Sequence, residues 1–448
     1  MPTTSINRTN SSASGTTWTV SCWVKQCQST GDGGIWQFYQ NGSNVVSLYS
    51  NPTVKFRSYL SGGYSYGDLT LNVKKRDPNA WSHYVAVCDT TNSTAEDRWR
   101  LYINGDRVDD DSNLVSAKTN PSSSYSMGAV VSGDFNLGAY FNNFSNHNYA
   151  HVHYCDGYAY AASDFGSTDA TTGEWKPNTS PSVTYGTNGF FLKFANRTSL
   201  LTDSSSNGHT DFNLSGSGNP TQTIDNPSNN YCIWNILHAQ TGGIGTIGNG
   251  NTYLATQADN TWRTAYGSIS FPGTGKFYCE FKCGNLGNYQ SIGIIDVEQQ
   301  TPANSNFVNN SRAYAYRKTG QKESGGSGSS YGDSWTSYDF LQLAYNNGAI
   351  WFGKNGTWQN SATLSEISAG TTTNAAFTGI DTSKHYTIAW EGYHDDMIEL
   401  NAGNGYFRTT YLGGSATTYN PSTGDTAARF KYEVPTGYQP ISTKGLNA

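Results

Sequence analysis

The stretch WTSYDFLQLAYNNGAIWFGKNGTW, Trp335 to Trp358, decides the fold. Two alternating apolar runs are separated by Asn346-Asn347-Gly348, and Asn355-Gly356 follows the second run. Asn and Gly tolerate the positive φ that tight hairpin turns require, so the pattern predicts a strand, a turn, a second strand and another turn. The stretch is therefore predicted to be a β-meander.

The same pattern occurs in the first half of the chain, in WSHYVAVCDTT (81–91) and WRLYINGDRV (99–108), where Asn104-Gly105 supplies the turn. With 448 residues, the chain has room for two domains of about 200 residues each. Aromatic residues make up 14% of the sequence and charged residues only 13%, a balance that favours strands over helices with charged faces. We therefore predict an all-β chain of two tandem β-sandwiches with little helix.

The charge pattern excludes some classes of partner. The net charge is -6, and the longest basic run is Lys74-Lys75-Arg76, so there is no electrostatic surface for a phosphate backbone and we predict no nucleic-acid binding. No apolar window approaches the ~20 residues that span a bilayer, and the first residues do not resemble an export signal. We expect a soluble protein without membrane insertion.

Seven cysteines are spread over the chain without metal-like spacing, and several lie in apolar strand patterns. A thiol in such a position behaves as a small buried hydrophobe, so we predict reduced core cysteines rather than disulfides. The cysteines are Cys22, Cys27, Cys88, Cys155, Cys232, Cys279 and Cys283.

Three motifs of the first half occur in an order known from one superfamily. They are W-x-H-Y-V-A-V at Trp81–Val87, L-Y-I-N-G at Leu101–Gly105 and S-D-F-G at Ser163–Gly166. Their order resembles the laminin-G and pentraxin branch of the concanavalin A-like jelly rolls, over residues 14–170. The resemblance implies a concanavalin A-like β-sandwich in residues 1–200.

The second half resembles another concanavalin-like sandwich. G-K-F-Y-x-E-F at Gly275–Phe281, I-G-I at Ile292–Ile294 and a closing P-x-G-Y at Pro435–Tyr438 are similar to the SPRY fold, over residues 255–448. This implies a SPRY-like sandwich in residues 251–448. Residues 201–250 are rich in Ser, Gly and Asn and are predicted to form a partly ordered connection.

Two further segments suggest a biological setting. GEWKPN (Gly173–Asn178) and YGTNGFFLKFAN (Tyr185–Asn196) resemble segments that accompany this domain in structural proteins of tailed phages, particularly marine ones. The resemblance implies a protein made in the host cytoplasm and carried on the virion surface. It also implies other virion proteins as partners and a homo-oligomer, such as a trimer.

The acidic residues do not match a glycosidase pattern. Glucanases of this superfamily place carboxylates at alternate positions of one strand, but neither E-x-D-x-x-E nor E-x-D-x-E is present. The nearest cluster is Asp395-Asp396-Met397-Ile398-Glu399, which we interpret as a turn followed by a strand with solvent-facing acids. The sequence predicts no catalytic residue, and a glycan hydrolase is kept as the less favoured alternative.

Metal ligands are equally sparse. His147, His151 and His153 fall close together, but no third ligand accompanies the pair that shares a strand face. Asp106, Asp109, Asp110 and Asp134 are the carboxylates that a structural calcium ion could use, without EF-hand spacing to support it. We therefore predict no metal and no cofactor.

Binding is better supported than turnover. Sugars are bound by aromatic faces together with amides and carboxylates, and one set of aromatic residues lies among Asn, Ser and Gly. The candidate ligand-binding residues are Tyr314, Tyr316, Trp335, Tyr338 and Trp358. We expect a non-enzymatic phage virion protein, at a tail fibre or tip or on the head, that binds a host-surface glycan or another surface ligand. The main alternative is a capsid decoration protein whose partners are other virion proteins.

Overall fold

The structure, a computed structural model, describes residues 4–27, 33–51, 53–60, 66–74, 77–141, 143–241, 243–285, 287, 289–408, 410–412 and 418–448. The chain divides into two compact units. The N-terminal unit runs to Gln222 and includes Asn226–Ser228, and the C-terminal unit comprises Thr223–Asp225 and Asn229–Ala448. Residues 201–250, assigned to a connection from the sequence, are divided between the two units.

The regular secondary structure of the N-terminal unit is almost entirely strand. Among its described residues are one α-helix, α1 (Gly128–Ser132), and two 3₁₀ turns at Ala95–Asp97 and Ala162–Asp164. Its strands are β1 (Thr4–Thr9), β2 (Thr17–Gln26), β3 (Gly33–Asn41), β4 (Asn44–Asn51), β5 (Thr53–Leu60), β6 (Asp68–Lys74), β7 (Trp81–Asp89), β8 (Trp99–Ile103), β9 (Asp106–Arg107), β10 (Val115–Thr119), β11 (Asp134–Leu137), β12 (Ala139–Tyr140), β13 (Asn143–Phe144), β14 (His147–Asp156), β15 (Gly166–Thr168), β16 (Trp175–Pro177), β17 (Phe190–Leu192) and β18 (Asn213–Gly216).

Two large antiparallel sheets form the sandwich of this unit, and β12-β13 and β15-β16 are additional two-stranded sheets. The eight-stranded sheet has the order β10-β6-β5-β4-β3-β11-β1-β18, and the six-stranded sheet has the order β17-β14-β2-β7-β8-β9. Their inner faces enclose one core around Trp18, whose ring lies 5.7–6.1 Å from those of Trp36, Phe38, Phe56 and Trp99. Alternate residues of each strand supply these rings, as expected for a sandwich.

The C-terminal unit repeats the architecture with different strands. Its helices are α2 (Ile236–Thr241), α3 (Leu364–Ala369) and α4 (Thr443–Leu446), with 3₁₀ turns at Val297–Gln299 and Phe307–Asn309. Its strands are β19 (Thr246–Gly248), β20 (Tyr253–Ala255), β21 (Arg263–Pro272), β22 (Lys276–Cys283), β23 (Gln290–Asp296), β24 (Ala313–Arg317), β25 (Gln321–Ser324), β26 (Ser327–Ser330), β27 (Phe340–Asn346), β28 (Ala349–Lys354), β29 (Thr357–Trp358), β30 (His385–Gly392), β31 (Met397–Asn401), β32 (Tyr406–Phe407), β33 (Thr410–Tyr411) and β34 (Gln439–Pro440).

One sheet of this unit has the order β19-β20-β31-β22-β27-β28-β29, with β34 pairing alongside β22. The other has the order β21-β30-β23-β24-β25-β26. The predicted meander is β27, β28 and β29, and its turn residues Asn347 and Asn355 have φ values of 44° and 51°. The prediction of an all-β chain with two tandem sandwiches is confirmed.

All seven cysteines are buried and none forms a disulfide, as the sequence predicts. No helix in the described part of the chain is long and apolar enough to cross a membrane.

Candidate functional site

Three aromatic side chains meet at one end of the six-stranded sheet of the C-terminal unit. Trp262 immediately precedes β21, Tyr289 immediately precedes β23, and Tyr393 immediately follows β30. These strands are neighbours, and the strand residues next to the three aromatic residues are register partners. Each aromatic residue therefore lies one position beyond the last paired residue of its strand, and the three strands are adjacent. We call Trp262, Tyr289 and Tyr393 the aromatic triad.

The three rings of the triad form an apolar surface in which the ring planes are inclined to one another. The ring of Trp262 lies 5.1 Å from that of Tyr393 and 5.8 Å from that of Tyr289, and the two tyrosine rings are 5.9 Å apart. Their planes meet at angles of 39° to 79°. Tyr289 is 44% exposed and the other two side chains are half-buried, so solvent reaches the surface they form.

A buried carboxylate fixes the two loops that carry the tyrosines. Asp396 accepts hydrogen bonds from the backbone N–H of Gly287 at 2.6 Å, from the N–H of Tyr393 at 2.7 Å and from Gln290 Nε2 at 2.9 Å. Because one side chain ties both loops, Tyr289 and Tyr393 are held in place before any ligand arrives. Such preorganisation lowers the entropic cost of binding.

Basic groups border the triad. The Arg317 guanidinium lies 5.5 Å from the ring centroid of Tyr289, within cation–π range, and its Nη1 donates to Glu323 Oε2 at 2.8 Å. Lys318 Nζ donates to the carbonyl of Gly287 at 2.5 Å. The apolar surface therefore has a polar rim that can hydrogen-bond to a ligand.

A second row of side chains lies beneath the triad on the same face of the sheet. Thr264, Glu391 and Ser291 are register partners across β21, β30 and β23. Ser291 Oγ donates to Glu391 Oε1 at 2.9 Å, and burial raises the pKa of the Glu391 carboxyl to about 8 although this hydrogen bond opposes the shift. The segment at Ser305 covers the row, since the Thr264 hydroxyl donates to the carbonyl of Ser305 at 2.5 Å. Glu391 is thus a protonated, enclosed support at neutral pH.

The arrangement suits stacking rather than bond cleavage. Aromatic faces pack on the apolar face of a pyranose, and Arg and Lys side chains donate to its hydroxyls. A glycosidase requires two carboxyl groups that flank the scissile bond, whereas Glu391 and Asp396 are fully buried.

The aromatic residues singled out in the sequence do not form one exposed surface. Tyr314 and Tyr316 lie on β24 and face the core, where Tyr316 stacks on Phe352 at 5.5 Å and its hydroxyl donates to the carbonyl of Asp333. Tyr314 is partly buried and lies edge-on to Phe377 at 5.4 Å. Both rings therefore pack the sandwich.

The remaining three candidates differ among themselves. Trp335 is 1% exposed and Trp358 is 8% exposed, so both are core residues. Tyr338 is 70% exposed, with φ of 72°, and stands in the loop before β27.

The acidic segment 395–399 is a turn followed by a strand, as predicted, but its acids are mostly not solvent-facing, so that part of the interpretation is wrong. Asp395 lies in the turn before β31 with φ of 50° and accepts from Asn285 Nδ2 at 2.6 Å. Asp396 is fully buried as the loop anchor, and Glu399 is 5% exposed within β31. The alternation of a strand indicates which residues share a face, but not whether other segments cover that face.

The candidate metal ligands in the N-terminal unit have other partners. His153 stacks on Phe191 at 3.8 Å, and its Nδ1 is 3.0 Å from the hydroxyl of Tyr185. His147 Nδ1 donates to a backbone carbonyl at 2.8 Å, and His151 occupies a bulge with φ of 47°. In the described residues, no group of three metal-ligating side chains comes together.

The carboxylates considered for calcium are also engaged. Asp109 is 2% exposed and lies 2.9 Å from Lys118 Nζ and 3.1 Å from Arg107 Nη2. Asp110 lies 3.4 Å from the same arginine, and Asp134 accepts from a threonine hydroxyl at 2.6 Å. Asp106 is exposed in the short strand β9. Two cations already neutralise the buried carboxylate of this group.

A serine–histidine contact in the N-terminal unit has the wrong proton arrangement for catalysis. Ser21 Oγ lies 2.8 Å from His83 Nε2, and Trp175 Nε1 donates to His83 Nδ1 at 3.0 Å. An indole N–H can only donate, so Nδ1 is the acceptor and Nε2 carries the proton. His83 therefore donates to the serine and cannot act as its base. Burial, with a smaller contribution from His151, lowers the pKa of His83 to about 3.

Sequence reasoning missed the triad, although a local signal exists. Its members occur in DNTW (259–262), GNYQ (287–290) and EGYHDD (391–396), where an aromatic residue stands among Gly, Asn and Asp. Such neighbours are typical of loops, in which a large ring has no strand face to pack against. The Tyr314 and Tyr316 context, AYAYR, is instead an alternating strand pattern.

Comparisons with known proteins found one family match and several similar solved structures. Residues 3–151 match the Laminin_G_3 family, described as the concanavalin A-like lectin/glucanases superfamily. Similar solved structures include the SPRY domain of human HERC1, with 17% identity, coverage of 33% of this chain and 87% of that chain, and a TM-score of 0.26. A human SPRY domain has 13% identity, coverage of 35% and 94%, and a TM-score of 0.28. The PSpry domain of TRIM65 has 9% identity, coverage of 38% and 89%, and a TM-score of 0.28.

None of the curated proteins compared with the chain matches it. The family match covers the first part of the N-terminal unit, so a concanavalin A-like domain lies in residues 3–151.

Proposed function

We propose that this chain is a non-enzymatic surface protein of a phage virion that binds a glycan through the aromatic triad of its C-terminal unit. The observation that carries the proposal is the solvent-accessible contact among Trp262, Tyr289 and Tyr393, with ring centroids 5.1–5.9 Å apart. A contiguous solvent-accessible apolar patch, unlike a single exposed ring such as Tyr338, is typical of a binding site. The rim groups Arg317 and Lys318 supply hydrogen bonds for sugar hydroxyls.

The virion setting rests on the motifs GEWKPN and YGTNGFFLKFAN and on the resemblance they carry. In that setting the partners are other virion proteins and a host-surface glycan. Several copies, for example in a trimer, would convert weak sugar contacts into useful avidity.

Glycan binding is tested on an array of host polysaccharides with the purified chain. We expect Trp262→Ala and Tyr289→Ala each to weaken binding by about tenfold or more, since an aromatic stacking contact contributes about 1–3 kcal/mol. Tyr338→Ala is the matched control, because Tyr338 is an exposed tyrosine outside the triad. If Tyr338→Ala abolishes binding and the triad variants bind normally, the site lies elsewhere and the proposal is wrong.

The virion assignment has its own test. Virions are imaged with an antibody raised against residues 255–448, and we expect label on the particle. Label confined to the tail tip supports host recognition, whereas label spread over the head favours the decoration alternative. Particles without label contradict the virion assignment.

The non-enzymatic part is tested by incubating the chain with host glycan and measuring reducing ends. We expect no release. Release that Asp395→Asn or Glu399→Gln abolishes, with the fold intact, would show that the chain is a hydrolase.

A further inference from the structure

A row of four side chains crosses the outer face of the C-terminal sheet that contains β20, β31, β22 and β27. The register pairs Tyr253 with Glu399, Glu399 with Lys282, and Lys282 with Phe340. The four residues belong to β20, β31, β22 and β27, which are adjacent strands. Their chain neighbours point into the core: Leu254, Ile398, Leu400, Phe281, Cys283 and Leu341.

Glu399, in the middle of this row, is buried without adequate partners. It is 5% exposed, its Oε1 lies 4.0 Å from Lys282 Nζ, and its Oε2 has no hydrogen-bond partner among the described residues. Burial raises the pKa of this carboxyl, and the nearby cations Lys282 and Arg408 oppose the shift. A buried carboxylate oxygen without a donor is unfavourable in the free protein.

Glu280 shows what a structural carboxylate looks like on the same face. It accepts from the backbone N–H of Tyr432 at 2.8 Å, from the N–H of Lys431 at 2.9 Å and from the hydroxyl of Tyr278 at 3.0 Å. Glu280 therefore holds the segment that carries Lys431 and Tyr432 against the sheet. Glu399 holds nothing comparable, so structural need does not explain it.

Aromatic and basic groups flank Glu399 on both sides. Arg408 is exposed and lies 4.6 Å from the ring centroid of Tyr253. On the other side, Lys282 lies 5.8 Å from the ring centroid of Phe340, which is half-buried. An acceptor between two rings, with cationic donors at the rim, matches the groups of a small polar ligand.

We infer that the row Tyr253, Glu399, Lys282 and Phe340 is a second sugar subsite, specific for a neutral pyranose with vicinal hydroxyls. One hydroxyl donates to Glu399 Oε2, and its neighbour accepts from Lys282 Nζ. The carboxyl of Glu399 supplies an acceptor and the cations Lys282 and Arg408 supply donors. Adjacent hydroxyls of an uncharged sugar can satisfy both, because each hydroxyl both donates and accepts. The inference rests on the proposed function and extends it to a second site.

The test uses the full chain and the methyl glycosides of glucose, galactose and mannose, with binding measured by saturation-transfer NMR. The background is the double variant Trp262→Ala/Tyr289→Ala, which removes the triad. We expect this background to retain weak binding of at least one glycoside, and Glu399→Gln or Glu399→Leu to reduce that binding by about tenfold, as expected for loss of a charge-assisted hydrogen bond. Asp333→Asn, at an exposed residue outside the row, is the control.

Thermal unfolding separates this role from a structural one. If Glu399 serves a ligand, Glu399→Leu raises the melting temperature, because it removes an unsatisfied buried carboxylate. Glu280→Gln lowers it, because Glu280 is satisfied.

Three results overturn the inference. Unchanged glycoside binding in the Glu399 variants overturns the second subsite. If the wild-type chain still binds the glycan array, the proposed function of the triad is not affected by that result. A lower melting temperature in both Glu399 variants shows that Glu399 stabilises the fold and does not serve a ligand. Absence of array binding by the wild-type chain removes the proposed function and this inference together.

Discussion

Two buried carboxyl groups of the C-terminal unit show how a single side chain sets pH dependence. Burial raises the pKa of Glu280 to about 7, against the effect of four hydrogen-bond donors. Glu391 has a weaker set of donors, and its pKa rises to about 8. In the unfolded chain both groups have ordinary values near 4.5, so folding takes up protons between that pH and the raised values.

Glu391→Gln is expected to reduce the pH dependence of the free energy of unfolding. In the wild-type protein the folded state binds the proton more tightly, so the contribution of Glu391 is fully present below pH 4.5 and is lost as the pH rises towards about 8. The loss is at most about 1.4 kcal/mol per pH unit for one proton. Urea unfolding at several pH values, compared with the exposed control Glu433→Gln, measures it. Equal slopes for wild type and Glu391→Gln would contradict the prediction.

Individual residues also show the limit of sequence reasoning. Tyr316 and Tyr338 are both ligand-binding candidates from the sequence, yet the first is 0% exposed and the second 70%. Tyr316 is covered because β24 places it over the core, where Phe352 of another strand lies against it. Coverage by a distant segment leaves no trace in the local pattern, so the candidate rings could not be sorted by exposure.

At the scale of single elements, turns were predictable because their chemistry is local. Asn104 and Gly105 have φ values of 51° and 93°, and the turn joins β8 to β9. The sequence did not reveal that packing also requires a glycine at position 105. A Cβ there would lie 2.7 Å from the Trp175 ring, so the glycine also makes room for the indole that donates to His83.

The aromatic triad belongs to the same scale, but the meeting of its three residues could not be predicted. Its members are more than 25 residues apart in the chain and meet because β21, β30 and β23 share one register. The resemblance predicted a sandwich in this half, but strand order and register follow from long-range pairing. The turn at Asp396 then completes the site.

Asp396→Ala tests whether this turn organises the triad. The substitution leaves several donors without an acceptor, so we expect a loss of about 2–4 kcal/mol in the free energy of unfolding. We also expect glycan affinity to fall severalfold, because Tyr289 and Tyr393 are no longer held together. Asp395→Asn is the matched control, since Asp395 is partly exposed and, among the hydrogen bonds described, its side chain accepts only from Asn285. Denaturant melts and array titrations measure both effects, and an Asp396→Ala chain as stable as Asp395→Asn would refute the anchor role.

At the scale of the whole molecule, the two units contain different titratable groups: histidines with a lowered pKa in one and carboxyls with a raised pKa in the other. The N-terminal unit holds two buried histidines, His83 and His153, and two half-buried ones, His147 and His151. Their pKa is lowered to about 3 for His83, to about 4 for His147 and His151, and well below the ordinary value for His153. The C-terminal unit buries carboxyls whose pKa is raised, namely Glu280, Glu391, Asp396 and Glu399. His238 of this unit has a lowered pKa and opposes the four carboxyls.

The two units should therefore respond to pH in opposite directions. Unfolded histidines take up protons below about 6.5, so the N-terminal unit loses stability as the pH falls from 6.5 towards 3. The C-terminal unit loses stability as the pH rises from about 4.5 to 8, for the reason given for Glu391. Calorimetry of the full chain at about pH 5 and about pH 8 should show one transition moving up and the other moving down with pH. Glu391→Gln assigns the C-terminal transition, because only that transition should lose part of its shift. If both transitions move in the same direction, the buried histidines and carboxyls do not control the stability of their units.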